Sequence, residues 1–424
     1  MNLLSNSLCG FKIRTYAESD TSQKTVHRVV LARNLPMPMR WIILLVLFFA
    51  RTVMAFQFQS IAALSPFIME SLAITLTDIG LLIGLYLGPG VIVAVGGGAV
   101  ATWFGDKRTV ATSLVLMVLG GVMVAYASNL GWAVAGRIVS GAGGVVLNVL
   151  MTKMVIDWFA GRNVSTALAI FISSWPIGIG LSLLILPALA AGTDLQTAWT
   201  VLTICTVLAL LFFVFIYKGP EGAVTGNAPI KFTSLPWAPL ALAAALWALY
   251  NAAFAMIFSF GTLVLADRGM PITAASSAIS LYIFAASLSI PLGGWLADRT
   301  GRANWVILAS LTGKMMVFPA VLYLPETYVP AMLVLGGLFA GLAPGPLVAL
   351  PSLVLSAEAR AFGTGVFYSM YYLIMMIAPT LAGGLSDYLG DVNVAFVLGG
   401  GMVFLALIAF WVFRRTVSSP QVAS

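Results

Sequence analysis

Charged side chains are scarce in this sequence: Asp, Glu, Lys and Arg make up 8% of its 424 residues, against roughly 25% in a soluble domain. So few charges cannot cover a water-facing surface, which excludes a soluble globular protein. Cysteine and histidine are scarcer still. Cys9, Cys205 and His27 are the whole supply, so neither a disulfide framework nor a Cys/His metal site can be assembled, and no cofactor is implied. What is present instead is apolar: 61% of the residues are hydrophobic and the mean hydropathy is +1.03. An integral membrane protein is expected, with the lipid bilayer as its permanent partner. The net charge of +7 would point a soluble protein toward nucleic acid; here the placement of the charges matters more than their sum, and no nucleic-acid partner is expected.

Crossing about 30 Å of hydrocarbon takes about 20 apolar residues as a helix, because only a helix satisfies its own backbone groups without water. Twelve stretches qualify: 41–66, 78–103, 109–127, 132–153, 165–189, 198–217, 237–264, 274–297, 305–323, 329–355, 362–384 and 394–413. They predict an all-α protein of twelve transmembrane helices. The polar, Gly/Pro-containing segment 218–236 divides them six and six. The expected organisation is a tail over 1–40, six-helix bundles over 41–217 and 237–413 joined by that linker, and a second tail over 414–424. Of the 21 Lys and Arg, sixteen fall on the side of the N-terminus, one (Arg268) falls opposite, and four lie within spans. The positive-inside rule then makes both termini and the linker cytoplasmic, with the chain in the inner (plasma) membrane. The 14 acidic residues divide evenly between the sides and none lies in the interior of a span, Asp78 standing at the first position of the second. Residues 1–40 lack a signal-peptide apolar run and read as a disordered tail, and starts at Met37 or Met39 fit as well as Met1.

The chain also repeats itself at an offset of 196 residues. Leu85-Tyr86 returns as Leu281-Tyr282, Gly97-Gly98 as Gly293-Gly294, and Gly105 as Gly301. Two similar six-helix halves with a site at their interface near mid-membrane are a recurrent design of secondary transporters.

Gly294-Trp295-Leu296-Ala297-Asp298-Arg299-Thr300-Gly301-Arg302, after span eight, resembles the G-x-x-x-D-R-x-G-R loop signature of the major facilitator superfamily. The first-half copy, Gly98 to Arg108, keeps the glycines and the basic end but has Thr102 where the acid belongs. Arg137-Ile138-Val139-Ser140-Gly141-Ala142-Gly143 in span four is similar to the R-x-x-x-G-x-G motif of the same superfamily. The resemblance covers residues 40–415 and implies two pseudo-symmetric six-helix bundles that work by alternating access. It gives Gly294, Asp298, Arg299 and Arg302 a gating role, as a latch at the cytoplasmic helix ends. Within the superfamily, Ala50-Arg51, Gln57-Phe58-Gln59 and Trp158-Phe159 are most similar to the cyanate-permease-like branch of bacterial anion carriers, which implies an anionic solute.

Arg51 lies near the centre of span one, where a guanidinium is tolerated only if it faces the protein interior or a wet cavity. The residues 196 positions after Arg51 and Phe58 are Trp247 and Phe254, and Trp247, Tyr250, Asn251 and Phe254 form one face of span seven. The resemblance implies that spans one and seven line the central cavity. Arg51 is therefore the expected anion anchor, opposed by an aromatic and amide wall of Trp247, Tyr250 and Asn251, with Gln59 about 80° from Arg51 on its own helix. In span four Arg137, Gly141, Gly144 and Asn148 share a stripe, which makes Arg137 and Asn148 further substrate candidates, although the motif also gives Arg137 a structural or coupling part. In span eleven Tyr368, Tyr371, Tyr372 and Met375 share a face, and Tyr371 is the hydroxyl nominated for the solute. Lys153 is expected to snorkel. Lys314 sits mid-span in helix nine, where bonding to backbone carbonyls or snorkelling is the simpler expectation. Pro344, Pro346 and Pro351 suggest a bendable span ten.

Four cations and no carboxylate within the spans mean that the missing counter-charge can be the substrate itself. The expected protein is a secondary active or facilitative transporter of a small anionic solute, a monomer and not an enzyme. Two other readings stay open at this point: proton-driven efflux of hydrophobic drugs, which the absence of membrane acids disfavours, and a non-transporting sensor or scaffold of the same fold.

Overall fold

The computed structural model describes residues 37–94, 105–159, 164–219, 235–356 and 359–417. The predicted N-terminal tail up to residue 36, most of the linker, and the first-half loop bearing Gly98 and Thr102 lie outside the described residues. Twelve helices are long and apolar enough to cross a membrane. Spans one to six are Met39–Ala63, Leu76–Ala94, Asp106–Ala125, Leu130–Phe159, Thr166–Gly192 and Leu195–Ile216. Spans seven to twelve are Trp237–Asp267, Ile272–Thr300, Ala303–Tyr323, Glu326–Val354, Phe362–Leu389 and Val394–Val417. No strand occurs among the described residues. Acidic residues within these spans occupy only the first or last three positions, as with Asp78, Asp106, Asp157, Asp298 and Asp387.

Several helices run further than the apolar pattern suggests. Spans four and eight continue to Phe159 and Thr300, because polar residues at a membrane surface neither break a helix nor need to leave it. Span ten is a broken rod. Its helix Val329–Ala340 stops, and short helical segments follow over Pro344–Val348 and Pro351–Val354, since each proline removes an N–H and crowds the preceding turn.

The internal repeat is visible as equivalent packing. The Phe58 and Tyr86 rings are 5.5 Å apart, and their equivalents Phe254 and Tyr282 are also 5.5 Å apart. Gly141 leaves room for the Tyr86 carbonyl, and Gly337, 196 residues later, leaves room for that of Tyr282.

Lipid tails are as apolar as leucine, so helix association in a membrane depends on close backbone approach. Contact between the first six spans and the last six is made by spans two with eleven, five with eight, and one with seven. The two-eleven seam is tightest: a Cβ on Gly80 or Gly84 would run into the Pro379 or Met376 carbonyl, and one on Gly383 into that of Leu76.

At the end where span one finishes, the halves are tied by polar bonds as well. Gln59 Nε2 donates to the Phe258 carbonyl at 2.7 Å. The Asp387 carboxylate accepts from the Leu76 N–H (3.1 Å), the Thr77 N–H (2.7 Å) and the Thr77 hydroxyl. Span two thus begins on a cap supplied by span eleven of the other half, which suits the positive end of a helix dipole. Any state open at this end must break these bonds. Asp387→Ala is expected to shift the population toward such a state by a few-fold to about tenfold, modest because the site is exposed. Spin labels at Ser71 and Tyr388 would report it as a new long-distance population, and an unchanged distance distribution would remove Asp387 from the closure.

Candidate substrate-binding site

Arg51 lies twelve residues into span one, about 18 Å along a helix and so close to mid-membrane. Its Nε donates to Asn148 Oδ1 at 3.0 Å, and Nη1 donates to the Phe171 carbonyl at 2.9 Å. The guanidinium carbon stands 4.6 Å from the centre of the Phe171 ring. Nη2 has no hydrogen-bond partner among the described residues, and the side chain is half-buried. Arg51 is therefore braced from spans four and five while one edge of its fork is left unused.

Near the guanidinium is a group of phenols from span eleven. Tyr372, Tyr368 and Tyr371 lie within electrostatic range of Arg51. Polar groups of the two halves thus come together around Arg51 and its partner Asn148. Tyr371 continues the wall to span seven, with its ring 5.9 Å from that of Trp247. The Trp247 Nε1 is buried and has no partner among the described residues. An unpaired indole N–H is a donor waiting for an acceptor. Together Arg51, Trp247 and Tyr371 bring three donor side chains from three spans into one neighbourhood between the halves, in which no carboxylate faces them among the described residues.

Several expected site residues are placed otherwise. Arg137 is a correction: it is 1% exposed and does not reach the cleft. Its Nε donates to the Leu82 carbonyl (2.8 Å), Nη1 to that of Gln57 (3.2 Å) and Nη2 to that of Phe58 (3.0 Å), over the Tyr86 ring. Its charge pins spans one and two to span four. Gln59 is likewise buried in the Phe258 bridge and belongs to the closed end. Tyr250 keeps its ring in the wall, stacked on Trp247, but its hydroxyl donates to the Ala340 carbonyl. Asn251 turns its amide N–H back to the Trp247 carbonyl at 2.7 Å, so that donor is spent within its own helix.

The proposed latch after span eight makes no ion pair among the described residues. Asp298, Arg299 and Arg302 are exposed, Asp298 makes no hydrogen bond or ion pair among the described residues, and Arg299 lies over its neighbour Trp295, 5.0 Å from the ring centre. Gly294 does not mediate close approach, since a Cβ there would meet nothing; Gly293, against the Leu342 carbonyl, does. In the first half, Lys153 does not simply snorkel. It pairs with Asp106 at 2.6 Å and Asp157 at 3.4 Å, so Asp106 supplies an acid close to the loop position where Thr102 lacks one.

Phe171 was not singled out by the sequence, because an aromatic in an apolar helix carries no signal until the chain is folded. Tyr372 was visible only as a member of the span-eleven stripe.

The profile of the Major Facilitator Superfamily matches residues 47–271 and 248–424. The chain belongs to this superfamily. It is similar to the hexuronate transporter of Bacillus subtilis (strain 168), with 21% identity over 408 residues covering 88% of this chain and 94% of the relative. It is also similar to monocarboxylate transporter 13 of Bos taurus, with 25% identity over 348 residues covering 77% and 79%. Among solved structures, a point mutant of the nucleoside transporter NupG superposes with a TM-score of 0.73 at 16% identity, covering 88% of this chain and 99% of that one. A bacterial homologue of the human lysosomal transporter Spinster, inward-facing and occupied, gives 0.71 at 16% identity over 90% and 98%. Membership of the superfamily makes the chain a multi-pass secondary transporter with a small-molecule substrate.

Proposed function

We propose that this transporter carries a small organic anion, a carboxylate, with Arg51 as its anchor. The observation that carries the reading is the spare donor of Arg51: a fixed cation at mid-membrane, braced at Nε and Nη1, with Nη2 unbonded and no acid opposite among the described residues. A carboxylate binds such an edge end-on, one oxygen on Nη1 and one on Nη2. Trp247 Nε1 and the Tyr371 hydroxyl are then the flanking donors. The names of two relatives, a hexuronate and a monocarboxylate transporter, agree with this chemistry, as does the narrower resemblance to cyanate-permease-like anion carriers. The distribution of Lys and Arg supports cytoplasmic termini, and in that orientation the polar closure at Gln59 and Asp387 lies on the outer face. The two bundles, 41–217 and 237–413, are the units that rock about the site, and the protein works as a monomer.

Thermal-shift and direct binding measurements on the purified carrier with glucuronate, lactate, organic cations and neutral hydrophobic drugs test the proposal. Stabilisation by a carboxylate is expected, and stabilisation only by drugs would overturn it. Trp247→Phe keeps the ring and removes the unpaired N–H. It should weaken carboxylate binding by about three- to tenfold, the value of one hydrogen bond, and unchanged affinity would take Trp247 out of the site.

A further inference from the structure

Lys314 is the one charge at mid-membrane that neither the anion site nor the packing of the halves accounts for. It is 0% exposed, eleven residues into span nine, which rules out snorkelling. Its Nζ donates to the Tyr250 carbonyl at 3.0 Å and stands 3.1 Å from the centre of the Tyr250 ring and 5.0 Å from that of Phe254. The surrounding elements supply no counter-ion. Span seven contributes Tyr250, and span eight contributes Tyr282 beside Phe254. The two span-ten segments Val329–Ala340 and Pro344–Val348 contain no titratable residue, and span twelve has only Arg414 and Arg415 in its last turn. Span nine itself adds only Tyr323 at its far end.

Comparison with Arg137 shows how different this placement is. The Arg137 charge is spread over three carbonyls, and a guanidinium does not give up its proton in a protein. Lys314 has one carbonyl and two ring faces. Cation–π contact offsets part of the penalty for burying an ammonium, but not the several kcal/mol that a missing counter-ion leaves. Two changes relieve that penalty: an anion arriving nearby, or departure of the proton. Tyr250 connects Lys314 to the first of these, because the same ring stacks on Trp247 at the edge of the anion cleft. The Ala340 carbonyl, which accepts from Tyr250 and, at 3.4 Å, from Ser310, is where span ten breaks.

We infer that Lys314 is the proton-carrying group of the transport cycle, holding a proton while the cleft holds its anion and releasing it after the anion has left. The inference rests on the carboxylate reading of the Arg51 site. The amine lone pair takes a proton from hydronium on the loading side, giving ammonium and water. On the other side the ammonium returns the proton to water, and no other bond changes. One proton crosses with each anion. Because binding free energies are reciprocal, the anion favours the protonated amine as much as the protonated amine favours the anion.

The test is transport by the full chain in liposomes, with labelled glucuronate and lactate as probes and the voltage clamped by potassium and valinomycin. Wild type should exchange a probe at equal pH and concentrate it about tenfold per pH unit of an imposed gradient. Lys314→Gln and Lys314→Arg, one without charge and one with permanent charge, should keep exchange and lose accumulation. Exchange without gradient-driven accumulation in the wild type, or accumulation retained in Lys314→Gln, overturns the inference and leaves the anion reading standing. A wild type that exchanges neither these probes nor any other carboxylate overturns both. Should the variants not fold, wild type alone decides: trapped pyranine must report one proton per anion, and anion entry without a proton refutes the inference.

Discussion

Arg51→Gln is expected to lower carboxylate affinity by at least about a hundredfold, and with it transport, while the bundle remains folded. The glutamine amide removes the charge and the end-on fork together, and a charge-assisted pair in a desolvated site is worth several kcal/mol. Folding should survive, because among the described residues the guanidinium makes only two hydrogen bonds to protein, to Asn148 Oδ1 and the Phe171 carbonyl, and glutamine can replace one of them. Arg51→Lys keeps the charge and loses the planar fork, so an intermediate loss is expected. Isothermal titration calorimetry with the best carboxylate from the screen, on monodisperse protein, reads both. Equal affinity in wild type and Arg51→Gln would refute the anchor.

Arg137→Leu should do the opposite: a large loss of stability with little change in affinity. Arg137 supplies charged donors to carbonyls of Leu82, Gln57 and Phe58, on two helices that have no hydrophobic reason to stay together in lipid. Hydrogen bonds to a buried charge contribute about 1.5–3 kcal/mol each and are not additive, so a loss of at least about 3 kcal/mol is expected. Arg137→Lys should recover only part of it, since an ammonium cannot reach three carbonyls spread across the fork. The measurement is the melting temperature in detergent together with carboxylate affinity in the folded fraction. A hundredfold affinity loss with unchanged melting would return Arg137 to the substrate site.

These two arginines show where sequence reasoning reaches its limit. Both are cations in apolar helices, and composition alone says that each needs an explanation. The twelve spans were legible because hydrocarbon imposes a length and an apolar content on every one of them. Arg51 could be nominated from the sequence because its face on span one and the aromatic face on span seven fall at equivalent places in the repeat. Arg137 misled because the stripe from Arg137 to Asn148 is about 16 Å long, enough to start in packing and finish in a cleft. Its upper part lies against Tyr86 and only Asn148 reaches Arg51. The acceptors that neutralise Arg137 come from 55 to 80 positions away in the chain, and no periodicity reports them. The acceptor of the Tyr250 hydroxyl, the Ala340 carbonyl, is hidden from the sequence for the same reason: it is available only because span ten ends there.

The imbalance of charge at mid-membrane has an electrical consequence. A fixed cation inside the bilayer feels the transmembrane voltage, at about 2.3 kcal/mol per elementary charge per 100 mV for a full crossing of the field. As the halves rock, the cleft is exposed first to the potential of one compartment and then to that of the other, and the empty carrier presents Arg51 uncompensated. A bound monoanion cancels that charge. The proton that rides on Lys314 in the loaded carrier restores it, so the loaded and empty carriers bear the same net charge, voltage acts equally on the two strokes, and a complete cycle with a monoanion moves no net charge.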